Sequence, residues 1–190
     1  MKLIFFGGCF DPPHMGHYEI IRKCVKKCHQ FIIMPTLNSP LKNKTSSTAP
    51  HHILQMLKLL VHDIDSTIEI DEYDFYRSGP SYTVDTIRYL QQKYPESSIS
   101  MVVGADQLMK FKQWKEYNEI INSVHIISFN RVNCEFTPPS GMNITWIADF
   151  NIDISSLKIR KDIALGELTD SVLNSSVKNY VFKNNLYRDK

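Results

Sequence analysis

Gly7-Gly8-Cys9-Phe10-Asp11-Pro12-Pro13-His14-Met15-Gly16-His17 is the stretch whose reading decides the fold. A short apolar run, residues 3–6, leads into it, and an apolar helical pattern with Ile20, Ile21 and Val25 leads out. The pattern is a strand, a glycine turn and a helix start, with two histidines at the turn. Glycines let a backbone approach a ligand, and a helix N-terminus offers free N–H groups and partial positive charge. That combination suits phosphate. The turn lacks the closing Gly-Lys-Ser/Thr of a P-loop and the Gly-x-Gly-x-x-Gly of a dinucleotide fingerprint. Instead His14 and His17 stand three apart at a helix start, a spacing that puts both imidazoles on one side. Gly16 between them leaves room where a ligand ring or sugar could pack. Imidazole N–H groups can stabilise charge that develops during phosphoryl transfer. A zinc pair is the other chemistry open to two histidines, but no third ligand has helpful spacing, so no metal site is expected.

Working outward, strands are expected at 31–34, 67–70, 99–103 and 124–129, with a short one at 145–147. Helices are expected over 14–27, from Pro50 with its stripe of Ile53, Leu54, Leu57 and Leu60 or Val61, and from a cap at Ser81. Short helices follow at 106–110 and 116–122, one from Ser155 or Ser156, and one from about Ser175. Residues 35–49, 73–80 and 130–143 read as loops. Alternating strands and helices, with several continuously apolar strands, point to an α/β fold: a doubly wound, mostly parallel sheet with helices on both faces. Ligands in such sheets sit at the carboxyl ends of the strands. The turn at residues 7–17, the loop holding Lys42 and the segment Gly104-Ala105-Asp106 all fall on that edge.

Length and composition set bounds. The 190 residues, 43% hydrophobic and 22% charged, fit one globular domain over 1–190. A net charge of +2 argues neither for nucleic acid nor for an anionic membrane. Cys9, Cys24, Cys28 and Cys134 do not form a disulfide framework, and Cys24 and Cys28 share an apolar helix face as buried thiols. The 3–6 run is too short for a signal-peptide core and nothing approaches a membrane span, so a cytoplasmic protein is expected.

The turn resembles the Gly-Gly-x-Phe-Asp-Pro-x-His-x-Gly-His motif of nicotinate/nicotinamide mononucleotide adenylyltransferases, within the His/Thr-x-Gly-His nucleotidyltransferases. Other stretches agree in order: the Pro-rich loop ending at Lys42, Arg77-Ser78-Gly79-Pro80-Ser81-Tyr82-Thr83-Val84-Asp85-Thr86, Gly104-Ala105-Asp106 with Trp114, Ile154-Ser155-Ser156-Leu157-Lys158-Ile159-Arg160, and the C-terminal helix around Tyr180 and Tyr187. The resemblance implies a Rossmann-like nucleotidyltransferase fold and transfer of AMP from ATP to nicotinate mononucleotide. Deamido-NAD and pyrophosphate result, Mg2+ assists, and a homo-oligomer is left open. By resemblance Gly7, Gly8, Cys9, Phe10, His14, His17, Gly104, Asp106, Ile154, Ser155, Ser156 and Arg160 bind ATP, and His17 faces the transition state. Lys42 holds phosphate charge. Gly8, Lys42, Tyr82, Thr83, Asp106 and Trp114 bind the mononucleotide, with Trp114 stacking on its ring; His14, His17, Lys42 and Asp106 form the catalytic group.

Read without the resemblance, each of these has a plainer role: a solvated Lys42, an N-cap at Asp106, a core anchor at Trp114, caps at Ser155 or Ser156. Three positions depart from the family: Cys9 for Thr or Ser, Leu157 for Thr, and Ile53 for Arg. The competing readings are a sister transferase acting on nicotinamide mononucleotide or pantetheine phosphate, and a catalytically silent nucleotide-binding module.

Overall fold

The computed structural model describes residues 1–40, 48–65, 67–129, 136–147, 150 and 152–188. Six strands form one sheet: β1 (Lys2–Gly8), β2 (Gln30–Pro35), β3 (Ile68–Ile70), β4 (Ser98–Val103), β5 (His125–Phe129) and β6 (Ile144–Ile147). Their order is β3-β2-β1-β4-β5-β6. The sheet, expected to be mostly parallel, is parallel at every pairing. The order in which strands are added reverses between β1 and β4, which makes the carboxyl end of β1 the switch point where such sheets bind ligands.

The strands are continuously apolar because both faces are covered. Ile4 and Phe6 point into one core layer with Ile21, Ile33, Leu57, Ile127, Ile159 and Val177. Leu3 and Phe5 point into the other, with Ile32, Val84, Ile87, Met101 and Ile120. The helices are α1 (Met15–Val25), α2 (Pro50–Val61), α3 (Tyr73–Tyr76), α4 (Thr83–Lys93), α5 (Ala105–Leu108), α6 (Tyr117–Ser123), α7 (Ser156–Leu165) and α8 (Ser175–Lys183). Pro50 opens α2 at its first position, where the missing N–H costs nothing. Ile53 is fully buried in the first layer.

Three local expectations change. Residues 73–76, read as loop, form the single turn α3. The N-cap of α4 is Tyr82, because the Ser81 hydroxyl turns back to donate to the Asp74 carbonyl at 3.4 Å. The cap of α5 is Gly104, so Asp106 lies inside the first turn. Cys24 is fully buried, and burial pushes its thiol up to about 12. Cys28, half-buried beyond the helix end, donates to the Val25 carbonyl. Among the described residues no helix is long and apolar enough to cross a membrane.

Candidate active site at the carboxyl edge

The turn after β1 is shaped by its own glycines. A Cβ on Gly8 would lie 3.1 Å from the Phe10 ring, so Gly8 admits that ring. Phe10 itself takes φ +49°, a left-handed conformation uncommon for a bulky residue. A Cβ on Gly16 would meet the His14 imidazole at 3.0 Å. Gly16 therefore makes room for His14, correcting the expectation that it opens space for a ligand ring. Gly7 is exposed, and the nearest atom to an added Cβ is 3.9 Å away, so the open side of the turn lies there.

The expected pairing of the histidines is present. Their rings stack with centroids 3.7 Å apart and planes inclined by 24°. His14 caps α1, and its backbone N–H donates to Nδ1 of His17 at 3.2 Å. With Nδ1 accepting, the proton of a neutral His17 sits on Nε2. The edges of Phe10 and Phe6 pack against the same ring, with centroids at 4.9 and 5.8 Å. His17 is thus held in one orientation, with Nε2 as its N–H side.

The far end of the chain braces this turn. Ser156 donates to the Pro12 carbonyl at 2.9 Å, and Arg160 Nη1 donates to the Asp11 carbonyl at 2.5 Å. The Met15 N–H donates to the Val172 carbonyl at 3.0 Å. Ser155 caps α7, accepting from the Lys158 N–H at 3.1 Å, so the plain reading holds for its hydroxyl. Ile154 packs on the first core layer, and Leu157 is 57% exposed. Arg160 keeps further N–H donors for an anion.

The remaining residues reach the same edge by separate routes. The Thr36 N–H donates to the Gly8 carbonyl at 2.9 Å, and the Ser81 N–H to the Asn38 carbonyl at 2.9 Å, so the Ser81-Tyr82-Thr83 corner sits beside the exit of β2. Lys115 Nζ lies 4.7 Å from the centre of the Tyr82 ring, which draws the Trp114 segment to that corner. Trp114 is half-buried against Phe111, with centroids 4.9 Å apart, and its indole N–H has no hydrogen-bond partner among the described residues. Asp106 is exposed and folds over Gly104, where a Cβ would lie 2.8 Å from its Oδ1; no hydrogen bond among the described residues joins it to the histidines. Lys42 and Cys134 lie outside the described residues.

A partly buried ionic cluster underlies the Tyr82 corner. Arg77 Nη2 donates to Asp85 at 2.8 Å and Nη1 lies 3.6 Å from Asp74, which also accepts from the Thr86 hydroxyl at 2.9 Å. Burial pushes the Asp74 carboxyl up, against the pull of Thr86 and Arg77. Burial also acts on Asp71, but hydrogen bonds from Lys93, the Tyr73 N–H and Tyr89 outweigh it and hold that carboxyl below its ordinary range. Residue-by-residue reading of the sequence passed over this cluster, Thr36, Asp11 and Tyr187. Charges spaced three and eleven residues apart in a polar segment look like solvated charges until the fold buries them.

Among the described residues no group of three His, Cys, Asp or Glu side chains is arranged to hold a metal ion. The arrangement suits an anion: a helix N-terminus, imidazole and guanidinium around a switch point, with an aromatic corner to one side.

Comparison with known proteins agrees with this geometry. The cytidylyltransferase-like family model matches residues 5–162. A "probable nicotinate-nucleotide adenylyltransferase" of Prosthecochloris aestuarii is 32% identical, covering all of both chains. The nicotinate-nucleotide adenylyltransferase of Bacillus subtilis is 30% identical over 98% of each chain. Among solved structures, Plasmodium falciparum nicotinic acid mononucleotide adenylyltransferase complexed with NaAD superposes with a TM-score of 0.83 at 19% identity, covering 98% of this chain and 97% of that one, a likeness of fold. With the turn, the switch-point sheet and full-length relatives in agreement, the chain belongs to the cytidylyltransferase-like family and, within it, to the nicotinate-nucleotide adenylyltransferases.

Proposed function

We propose that the protein transfers AMP from ATP to nicotinate mononucleotide, releasing pyrophosphate and forming deamido-NAD. An oxygen of the mononucleotide phosphate attacks the α-phosphorus, a P–O bond forms there, and the bond to the β-phosphate bridge breaks. The attacking phosphate is already ionised at neutral pH, so no general base is required. What the protein supplies is position and charge stabilisation. The observation that carries the reading is the His14 N–H to His17 Nδ1 hydrogen bond beside the stacked rings, which fixes the orientation and tautomer of the imidazole assigned to stabilise charge at the reacting phosphorus.

Arg160, Ser156 and the partial positive charge at the N-termini of α1 and α7 suit the triphosphate. The Tyr82-Thr83 corner with Trp114 suits the nicotinate ring, and Lys115 beside Tyr82 adds positive charge for its carboxylate. Asp106 is assigned to ribose hydroxyls and Lys42 to phosphate charge. Among the described residues no cluster fits Mg2+; it would enter coordinated by the triphosphate oxygens, whose charge it would screen. Thiols rather than disulfides at Cys24 and Cys28 fit the reducing cytoplasm, the setting we infer.

Pyrophosphate release from ATP with a panel of acceptors tests this reading. Release is expected with nicotinate mononucleotide, and more slowly with the nicotinamide form. Preference for pantetheine phosphate would replace it with the sister reaction, and ATP binding with no release from any acceptor would leave a nucleotide-binding module.

A further inference from the structure

The described C-terminal segment folds back into the molecule. Helix α8 ends at Lys183, and the chain then passes through left-handed backbone at Asn185 (φ +50°) and Tyr187 (φ +63°). The bend carries Leu186 and Tyr187 onto the first core layer, and the Leu186 N–H donates to the Val181 carbonyl at 3.0 Å. Tyr187 then donates its hydroxyl to Asp11 Oδ1 at 2.6 Å, a contact between residues 176 apart in sequence. Asp11 is 4% exposed. Its other oxygen lies 4.0 Å from Arg160 Nη1, and its carbonyl accepts from that same nitrogen. The Thr48 side chain hydrogen-bonds to the Tyr187 hydroxyl as well. One phenol thus joins the turn that carries the histidines, the arginine of α7 and the residues just before α2.

We propose that Tyr187 is a positioning residue for the triphosphate: through Asp11 it sets the pose of the 10–14 turn and the reach of Arg160. Burial and the Asp11 carboxylate push its phenol up, so it remains a proton donor throughout the neutral range. A tyrosine that merely clasped the tail would not need to end on the carboxylate of the residue that also receives Arg160. The inference rests on the assignment of the triphosphate to this end of the site.

Tyr187→Phe keeps the ring and removes the donor. Loss of one buried hydrogen bond predicts roughly a 5–30-fold rise in KM for ATP, with KM for nicotinate mononucleotide within about twofold of wild type. ATP affinity by calorimetry should fall in parallel. Asp11→Asn, which keeps an oxygen for Tyr187 but removes the charge facing Arg160, should show the same selectivity for ATP; it also serves if Tyr187→Phe folds poorly. Unchanged kinetics in Tyr187→Phe, with or without a lower Tm, would overturn the proposal, as would equal weakening of both substrates. If the wild type binds ATP but forms no product with nicotinate mononucleotide, the proposed reaction fails, and the ratio of ATP affinities still decides the role of Tyr187. A wild type that does not bind ATP overturns both.

Discussion

The two sides of the site are held by different physics. The histidine turn is braced by hydrogen bonds to its backbone carbonyls and to Asp11, from Ser156, Arg160 and Tyr187, which lie 144 to 176 residues away in sequence. The Tyr82 corner is braced by charged side chains close in sequence, Asp74, Arg77 and Asp85, with Thr86. The first brace depends on the chain's far end being docked. The second depends on ionisation. The turn, where charge must be stabilised, is therefore held largely through its backbone carbonyls, and the corner's support is ionic.

The largest effect that would break this contrast is on stability. Arg77→Met leaves Asp74 buried without its cation, at a cost of about 2 kcal/mol, less than for a fully buried pair because Arg77 is 22% exposed. Asp74 titrates above its unfolded value, so its cost is absent at low pH and grows as pH rises above the ordinary carboxylate range. Denaturant melts of Arg77→Met and wild type should differ little near pH 4 and most near pH 8. A pH-independent difference would show that Arg77 acts by packing alone.

On the other side, Gly16→Ala should disturb function more than stability. The new methyl meets the His14 ring at 3.0 Å and displaces it by a few tenths of an ångström, while alanine's helix propensity offsets part of the strain. A turnover loss of about tenfold with Tm little changed is expected. Wild-type turnover would mean that the stacked pose of His14 is dispensable.

The smallest effect concerns the helix behind the turn. Cys24 is fully buried with its thiol pushed up to about 12, so alkylation in the folded protein at pH 8 should spare it and take the half-buried Cys9. Mass mapping of the labelled sites checks this. Rapid labelling of Cys24 would show that α1 opens readily, and the turn could not then be regarded as rigid.

Much of the fold was legible in the sequence because its signals are local. Continuously apolar strands such as residues 3–6 announced burial on both faces, and Pro50 and Ser155 marked helix starts. The histidine pair was legible for the same reason, since spacing within one turn sets its geometry. What was not legible is what comes from distance or burial. Nothing around Tyr187 indicates that its hydroxyl ends on Asp11, and nothing in Arg77 or Asp74 shows that they will be enclosed. Ser81, a good cap by type, lost that role to a contact with the Asp74 carbonyl. Gly16 was read as space for a ligand because the sequence cannot show that the His14 ring fills it.

The account's central claim is that His17, oriented by the His14 N–H, stabilises charge at the reacting phosphorus. Pre-steady-state and steady-state turnover of His17→Ala with ATP and nicotinate mononucleotide tests it most directly. The account predicts a fall in kcat of roughly 10²–10³, the size expected for removing one transition-state donor, with Tm and ATP affinity close to wild type. Turnover within a few-fold of wild type would contradict it.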